Sequence, residues 1–320
     1  MTRRFTIACV GMTTCDGYID VAEADPHKRR FSQITSLSLN TGGDALNAAL
    51  NFAKMDNDCR LIGCIGEDAF GRVLKRGAAA GGVDTRFMMP LDGVHSSASN
   101  AFYYPPDTSL RHSFHAQAAN AQLSQEMITD EMLSGCDHLY YASINAVPKL
   151  DRGAAKLLKR AKAMGLSTSI DVKGTHNLHF DVLGDTLHYC DIFIPNNREI
   201  FALTGTEDLE ENKKIFEKYN LKVLGIKRGP DGLSLTDFKQ DVHMDTLVKC
   251  RVLDAVGAGD AFFSAFVLSY LRGMSLEECG IVGSSASAIC IGTRGASIWG
   301  RPYCRVVDYA QELGYDIPQD

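Results

Sequence analysis

No run of apolar residues in this 320-residue sequence is long enough to cross a membrane. The longest apolar stretches, such as Phe5 to Val10 and Ala261 to Leu268, fall well short of the roughly 18 to 20 residues that a membrane span requires. After the first of these runs, Gly11, Asp16 and Asp20 follow too closely for a signal peptide with a cleavage site. We therefore expect no transmembrane helix and no secretory leader, and we interpret the first run as a strand.

The sequence also lacks an excess of basic residues, paired cysteines and clustered histidines. The 33 Lys and Arg residues stand against 39 Asp and Glu residues, a formal net charge of −6, which argues against a nucleic-acid-binding protein. The ten cysteines form no C-x-x-C pair, and the closely spaced histidines His112 and His115 have no matching cysteine or carboxylate cluster. We expect reduced thiols in a cytoplasmic protein without a structural metal.

What the sequence does contain is an ordinary globular composition and a regular alternation of elements. Hydrophobic residues make up 45% and charged residues 22% of the chain, so a folded core is expected. Apolar runs of strand length alternate with longer amphipathic stretches, which is the pattern of a doubly wound α/β sheet. The predicted strands are Phe5–Gly11, Cys59–Ile65, His138–Ala142, Leu166–Asp171, Asp191–Ile194 and Val223–Lys227. The predicted helices are Ala45–Met55, Ala69–Ala80, Lys149–Met164 and Asp208–Tyr219.

Two insertions, at about residues 16–39 and 97–115, interrupt this alternation. They hold short β-like pieces separated by polar turns such as Pro105-Pro106-Asp107. We predict one small sheet that stands off the main sheet, either as a lid that excludes water from an active site or as surface hairpins without a function. Because there is no internal repeat, low-complexity tract or clear linker, we expect residues 1–320 to form a single α/β domain.

The segment around Gly257-Ala258-Gly259 is the strongest candidate for binding a ligand. A strand-like run ends at Leu253, and a strongly apolar helix is predicted to begin near Asp260 and to continue to Leu271. The backbone N–H groups of the small residues would then point out of the helix N-terminus, where the helix dipole has its positive end. The segment therefore predicts an anion site, although no Walker A string G-x-x-x-x-G-K-[ST] is present.

Asp260 directly follows this predicted anion site. A carboxylate beside a bound phosphate is repulsive unless it performs chemistry, and removal of a proton from an attacking hydroxyl is such chemistry. The alternative is that Asp260 caps the helix or balances its dipole. Both interpretations stay open on the sequence.

A second glycine-led helix start lies far upstream. Gly42 and Gly43 leave room for a ligand at the helix mouth, and Asp44 and Asn47, one turn apart, offer acceptors and a donor for hydroxyl groups. Asp16, beyond the first predicted strand, adds an acceptor to a polyol site at the carboxyl ends of the strands. The alternative is an ordinary turn and helix start.

Two further segments follow predicted strands. Asn196 and Glu199, three residues apart, would face the water shell of a Mg²⁺ ion, or else form a capping box at a helix start. Lys227, Gly229 and Gly232 follow the last predicted strand, and they would hold nucleotide phosphate or ribose, or else form a hairpin turn.

Taken in order, these segments resemble the signatures of the ribokinase-like carbohydrate kinases, the PfkB family. Asp254-Ala-Val-Gly-Ala-Gly-Asp260 resembles the carboxyl-terminal D-T-x-G-A-G-D signature, and Gly42-Gly43-Asp-Ala-Leu-Asn47 resembles the amino-terminal G-G-x-x-x-N signature. Asn196 to Glu199 matches the N-x-x-E motif, and Thr293-Arg-Gly295-Ala296 resembles the late nucleotide-side loop. The resemblance implies a doubly wound, mainly parallel sheet flanked by helices, with a small β-sheet lid.

The resemblance also implies transfer of the γ-phosphoryl group of ATP to a hydroxyl of a small sugar or sugar derivative. Asp260 would be the general base, and the backbone of Gly257, Ala258 and Gly259 the anion hole. Asn196 and Glu199 would order Mg²⁺ through water, and the lid would form the contact of a homodimer. The residues implied to hold the acceptor are Asp16, Gly42, Gly43, Asp44, Asn47 and Arg111, and those near the nucleotide are Lys227, Gly229 and Gly232.

The chain departs from the family pattern at two positions. Ala255 replaces the usual threonine, which removes one hydroxyl but leaves the anion-hole backbone intact. Asp44 stands where several sugar kinases carry lysine, and an acidic residue favours neutral polyol hydroxyls over a phosphorylated acceptor. Asp254 and the loop from Thr293 to Ser297 resemble a monovalent cation site of some members, so K⁺ activation is an open expectation.

The nature of the acceptor stays open. Tyr103, Tyr104 and Arg111 lie in the second insertion, and relatives that phosphorylate 2-keto-3-deoxygluconate bind the acid with tyrosine and arginine of the lid. Their glycine motif often reads G-G-D-x-L-N, as Gly42 to Asn47 does, so a sugar acid is one alternative. Arg111 equally resembles the arginine that is common in this hairpin of sugar kinases. A nucleoside is a second alternative, and a non-catalytic sugar or nucleotide sensor is a third. A nicotinamide-dependent oxidoreductase is disfavoured because no G-x-G-x-x-G follows the first strand.

Overall fold

The computed structural model describes residues 3–22, 33–104, 111–249, 251–293 and 300–318. Within these ranges the chain forms two β-sheets, with helices on both faces of the larger one. The strands are Thr6–Val10 (β1), Thr14–Val21 (β2), Ile34–Gly42 (β3), Asp58–Gly66 (β4), Met88–Leu91 (β5), Ala98–Tyr103 (β6), Arg111–Ala116 (β7), His138–Ile144 (β8), Ser167–Val172 (β9), Ile192–Phe193 (β10), Val223–Lys227 (β11), Leu233–Thr236 (β12) and Asp241–Met244 (β13). The α-helices are Asp44–Lys54 (α1), Ala69–Ala80 (α2), Asp130–Leu133 (α3), Pro148–Asp151 (α4), Ala154–Ala163 (α5), Phe180–Leu187 (α6), Asn197–Thr204 (α7), Leu209–Phe216 (α8), Ala258–Leu271 (α9), Leu276–Ile291 (α10) and Tyr303–Glu312 (α11). No helix in these ranges is both long and apolar enough to span a membrane.

The larger sheet has the strand order β13-β12-β11-β10-β9-β8-β1-β4-β5. Strands from β5 to β11 pair in parallel, and β12 and β13 extend the sheet in antiparallel pairing. The chain builds outward from β1 to β5 and then returns to the other side of β1 with β8. The strand order therefore reverses between β1 and β8, and ligands of doubly wound folds bind at the carboxyl ends of the strands at such a point.

Two apolar layers cover the two faces of this sheet. Successive residues of a strand point to opposite faces, and in β8 the buried Tyr140 and Tyr141 belong to different layers. Tyr140 stacks on Phe263 of α9 with ring centroids 5.0 Å apart and meets Phe52 of α1 edge-on at 6.2 Å. This aromatic contact holds α1 and α9 side by side over the place between β1 and β8 where the strand order reverses, which we call the switch point.

Most predicted elements are present, with differences that have local causes. The predicted helix Lys149–Met164 is split into α4 and α5 at Gly153, where a Cβ atom would lie only 2.5 Å from Cβ of Gln125. The strand-like run before Leu253 is not a strand: β13 ends at Met244, and the N–H of Leu253 donates to the carbonyl of Ile291 instead of to a sheet neighbour. The apolar helix α9 begins at Ala258, two residues earlier than predicted.

The two insertions form the separate four-stranded sheet, in the order β3-β2-β6-β7, which confirms the predicted small sheet. Its two faces differ in polarity because side chains alternate along each strand. Asp16 and Tyr18 of β2 lie on one face, and Leu37 and Leu39 of β3, aligned with Ile19 and Gly17, lie on the other. The apolar side chains of that second face include Leu37, 59% exposed, and Phe114 of β7, 64% exposed.

Candidate active site

Two helix N-termini meet above the switch point of the main sheet. Asn47, in the first turn of α1, donates a 2.9 Å hydrogen bond from Nδ2 to Oδ2 of Asp260, in the first turn of α9. Gly43 caps α1 with φ of 89°, and a Cβ there would lie 2.6 Å from the carbonyl oxygen of Met12, so only glycine fits. A Cβ on Gly42 would collide with the carboxylate of Asp16. The glycines thus let β2 and its Asp16 approach the start of α1.

The start of α9 has the geometry of an anion site. Gly257 precedes the helix in the left-handed conformation, with φ of 81°, and the first intrahelical bond runs from the N–H of Ala261 to the carbonyl of Gly257 at 2.9 Å. The N–H groups of Gly259 and Asp260 precede that bond and have no carbonyl of the helix to bind. The positive end of a buried, apolar helix therefore opens at this point.

Asp260 does not cap its own helix. Its carboxylate is bound by Asn47 of another helix, and the residue is only 8% exposed. Burial and the nearby charge of Asp44 raise the pKa of Asp260 to about 8, although Lys173 and the hydrogen bond from Asn47 act in the opposite direction. A carboxyl group with such a pKa can accept and release a proton near neutral pH.

Asp44 is not the open acceptor that the sequence predicts. Its Oδ1 accepts a 2.7 Å bond from Nζ of Lys173, which follows β9 and which the sequence analysis missed. The charge of Asp44 raises the pKa of Lys173 against the effect of burial, so the pair is ionic. The acidic character expected of this position is thus balanced by a neighbouring ammonium group.

A second ion pair lies beside the start of α9. Lys227, predicted near a nucleotide, donates from Nζ to Oδ1 of Asp171 at 3.1 Å and lies 5.4 Å from the centroid of the Phe263 ring. A Cβ on Gly259 would be 3.9 Å from this ammonium group, which places Lys227 next to the anion site. Tyr140 donates to the other carboxylate oxygen of Asp171 at 3.4 Å. Burial lowers the pKa of Lys227, but the charges of Asp171 and Glu199 outweigh this effect and the pKa is raised.

Asn196 and Glu199 form the capping box that was the alternative to a metal site. The side chain of Asn196 accepts from the N–H of Glu199 at 3.0 Å, and Oε2 of Glu199 accepts from the N–H of Asn196 at 2.9 Å. Burial and the charge of Asp171 raise the pKa of Glu199, while Lys227 lowers it. The role in Mg²⁺ binding stays a prediction, and the carboxylate lies within the electrostatic field of the second ion pair.

Gly229 and Gly232 form the hairpin turn between β11 and β12. Both have positive φ, 57° and 87°, and the N–H of Arg228 donates to the carbonyl of Gly232 at 2.8 Å. A side chain on Gly232 would collide with the carbonyl of Met244 in β13. Positive φ accounts for both glycines, and packing against Met244 excludes a side chain at Gly232 as well, while contact with a nucleotide stays a prediction.

Two other predicted site residues lie at the margin of what the structure describes. Oδ1 of Asp254 accepts from the N–H of Val256 at 3.0 Å, and the N–H of Asp254 points to the carbonyl of Ile291 at 3.3 Å, so this loop adjoins the end of α10. Residues 294–297 of the predicted cation loop lie outside the described ranges. Arg111 pairs with Tyr103 in the small sheet, four residues along the strand from the position level with Asp16.

The residues that sequence reasoning missed share one feature. Asp171 and Lys173 occupy the carboxyl end of a correctly predicted parallel strand, which is where ligand-binding side chains of such sheets concentrate. Their position at the end of a predicted strand could therefore have identified them as candidate site residues. Tyr140 gives no comparable signal, because a buried tyrosine inside a strand is ordinary core.

Comparisons with known proteins identify the family and the fold of the chain. The family model described as pfkB family carbohydrate kinase matches residues 4–302. The chain is 24% identical to a ribokinase of Arabidopsis thaliana over 297 residues, 91% of this chain and 77% of that protein. The structure of Arabidopsis thaliana ribokinase complexed with ribose and ATP superposes with a TM-score of 0.84 at 21% identity, covering 97% of this chain and 99% of that one. A provisionally assigned ribokinase II of E. coli in complex with ATP and Mg²⁺ gives a TM-score of 0.83 at 20% identity, covering 97% and 100%. The chain therefore has the ribokinase fold and belongs to the PfkB family of carbohydrate kinases, which are phosphotransferases with an alcohol group as acceptor.

Proposed function

We propose that this chain transfers the γ-phosphoryl group of ATP to a hydroxyl of a small sugar or sugar derivative, with Asp260 as the general base. The observation that carries the proposal is the 2.9 Å bond from Asn47 to Asp260 at the open N-terminus of α9. It holds a proton acceptor beside a site for a transferring phosphoryl group, which a protein that only binds sugar does not need.

The anion hole would be the backbone of Gly257, Ala258 and Gly259. Phosphoryl transfer depends mainly on positioning and on stabilisation of charge, and the N–H groups of the first helical turn supply both. Lys227 adds a positive charge next to Gly259. ATP is the expected phosphoryl donor because solved ribokinase-fold neighbours are complexed with it.

Mg²⁺ fits this site through water and not through a direct cage of side chains. The described residues contain no cluster of three His, Cys, Asp or Glu side chains that would ligate a metal, and Mg²⁺ commonly keeps several waters next to a nucleotide. Glu199 supplies the carboxylate of the predicted motif, and this carboxylate would accept hydrogen bonds from the metal's waters. Neutralisation of phosphate charge is the chemistry that Mg²⁺ would supply.

The acceptor would lie between the first turn of α1 and the small sheet. Oδ1 of Asn47 is buried and has no hydrogen-bond partner among the described residues, so it offers an acceptor to a sugar hydroxyl. Asp16, held against Gly42, offers a second acceptor from β2. This set of acceptors suits hydroxyl groups.

The activity is tested by measuring ADP release from Mg·ATP, with and without K⁺, over ribose, fructose, other hexoses, inositols, 2-keto-3-deoxygluconate and nucleosides. We expect one strong acceptor, and Asp260→Asn should lower its turnover by about 10²- to 10⁴-fold while the variant still binds ATP and the acceptor. Unchanged turnover of Asp260→Asn would exclude it as the base. A strong response to the sugar acid or to a nucleoside would select that alternative, and silence with intact ATP binding would favour a sensor.

We further propose that the chain is one domain in which the small sheet is a lid, and that a second copy covers the lid's outer face. Leu37 and Phe114, exposed by 59% and 64%, lie on one face of that sheet together with Leu39. Exposed apolar side chains that share one face of a sheet can mark an interaction surface. Sedimentation should show a homodimer that dissociates in the double variant Leu37→Glu, Phe114→Glu. The control Met164→Glu, at an exposed apolar residue after α5, should leave the dimer intact. A monomeric parent protein would contradict this assembly.

A further inference from the structure

The loop that carries Lys173 is rigidly built. Its backbone continues from β9, and the N–H of Lys173 donates to the carbonyl of Ile144 at 2.9 Å. Nδ2 of Asn145 donates to the carbonyls of Gly174 and His176 at 3.3 and 3.0 Å. Asn145 adopts a φ of 76°, a strained conformation for a residue with a side chain, which surrounding contacts must hold in place.

Asp151 supplies those contacts. Its Oδ1 accepts from the N–H of Asn145 at 3.2 Å, and its Oδ2 accepts from the N–H of Val147 at 3.1 Å. Tyr141 of β8 donates to the same carboxylate. The backbone at Lys173 is therefore held in place by a chain of contacts from the sheet.

Lys173 reaches from this loop to the acceptor side of the site. Its ammonium group binds Asp44 at 2.7 Å, one turn before Asn47 on α1. The Asp44 side chain is 11% exposed, but that of Lys173 is 50% exposed. An ammonium group has three N–H donors, so donors remain for a ligand after the bond to Asp44 is made.

The charges around Asp260 are balanced in pairs. The groups that act on its carboxyl are Asp44 and Lys173 of one ion pair and Asp171 and Lys227 of the other. Both described ammonium groups are thus matched by a carboxylate. An anionic acceptor would meet no uncompensated cation among these four side chains, whereas a neutral polyol could accept from Lys173 and donate to Asp44 at once.

We propose that the Asp44–Lys173 pair is the specificity-determining element of the acceptor site, selecting a neutral polyhydroxyl acceptor over one that carries a carboxylate. The inference rests on the proposed kinase function and adds the substrate class. Lys173 binds the acceptor as a hydrogen-bond donor, and Asp44 cancels the attraction that its charge would otherwise exert on an acid.

The test compares acceptors that differ in charge, D-glucose with D-gluconate and D-ribose with D-ribonate, by kcat/KM and by binding calorimetry without ATP. Wild type should favour the neutral member of a pair. Asp44→Asn leaves Lys173 uncompensated and should shift the ratio toward the acid by about tenfold, the effect of about 1.4 kcal/mol. Lys173→Met should shift it the other way, and the double variant Asp44→Asn, Lys173→Met should return it near the wild-type ratio.

A pH profile gives a readout that loss of structure would not reproduce. Asp44 and Lys173 act on Asp260 with opposite sign, so the alkaline rise of kcat/KM should move to lower pH in Asp44→Asn and to higher pH in Lys173→Met. Lys213→Met is the matched control, because Lys213 binds Asp241 at the same 2.7 Å on the edge strand β13. It should leave both the ratio and the profile unchanged.

The failures are distinguishable. If the wild type is active and the ratio of kcat/KM for the neutral and the acidic acceptor is unchanged in all three variants, the specificity role is overturned and the kinase function stands. A wild type that prefers the acidic acceptor has the same consequence. Absence of ADP release with every acceptor, while Mg·ATP binds, overturns the kinase function itself. In that case calorimetry with glucose and gluconate still decides whether the pair selects by charge.

Discussion

The two ion pairs that flank Asp260 differ in their access to solvent. In the pair Lys227–Asp171 the side chains are 16% and 11% exposed, and the pair is enclosed by Tyr140 and the Phe263 ring. In the pair Lys173–Asp44 the carboxylate is equally buried, but the lysine is 50% exposed. We refer to them as the closed pair and the open pair.

The difference separates two tasks. Charges in the closed pair interact in a low dielectric and cannot be rehydrated when a partner is lost, so this pair holds the anion site in one arrangement. In the open pair only the ammonium group reaches solvent, so water can replace it beside Asp44 and its loss should cost less stability. The open pair is thus free to bind the incoming acceptor, whereas loss of one partner of the closed pair should lower the stability of the protein.

Replacement of each lysine by methionine should show the largest contrast. Lys227→Met leaves Asp171 buried without a counter-charge and should lower the free energy of unfolding by about 3 to 5 kcal/mol. Lys173→Met breaks a half-exposed pair and should cost about 0 to 1 kcal/mol. Urea denaturation of the two variants measures both values.

The double variant Asp171→Asn, Lys227→Met checks the cause of that contrast. It removes both charges of the closed pair and should recover most of the stability lost in Lys227→Met. Activity should stay low in the double variant, because the positive charge beside Gly259 is still missing. Equal instability of Lys173→Met and Lys227→Met would remove the distinction between the pairs.

The pH dependence of catalysis sharpens the comparison, since both pairs act on Asp260. With a pKa of about 8, Asp260 must lose a proton to act as a base, so kcat/KM should rise about tenfold per pH unit below that value and then level off.

The same ionisation has the opposite effect on the stability of the fold. The folded state holds a proton that the unfolded state has released, so this group's contribution to stability falls as pH rises from about 4 to 8. Asp260→Asn should flatten that fall in a series of urea denaturations.

The sequence was sufficient for the parts of this site that depend on backbone pattern. Gly43 and Gly257 were identified because each precedes a predicted helix start, and in the structure both have a positive φ that glycine accommodates. Six of the seven described parallel strands follow from apolar runs, and α2 from its amphipathic period, whereas the edge strand β5 was not predicted. Asp260 and Asn47 were each found beside a glycine-led helix start.

What the sequence could not supply was the partner of each charge. The contact of Asp44 with Lys173 joins residues 129 positions apart, and that of Lys227 with Asp171 joins residues 56 apart. Such pairs depend on how strands order in the sheet, which no local pattern fixes. We therefore interpreted Asp44 as an acidic acceptor, whereas in the structure Lys173 compensates its charge.

The smallest expected effect concerns two capping boxes of the same design. Asn196 and Glu199 cap α7, and Ser275 and Glu278 cap α10 with the same reciprocal bonds. Glu199→Gln and Glu278→Gln should each cost about 1 kcal/mol or less of stability, because a glutamine can still accept the cap bond. Only Glu199 lies in the field of the closed pair. Titration of activity with Mg²⁺ should therefore require a several-fold higher concentration for Glu199→Gln and an unchanged one for Glu278→Gln. If both variants respond alike, Glu199 is a helix cap alone, and the metal is held by other groups.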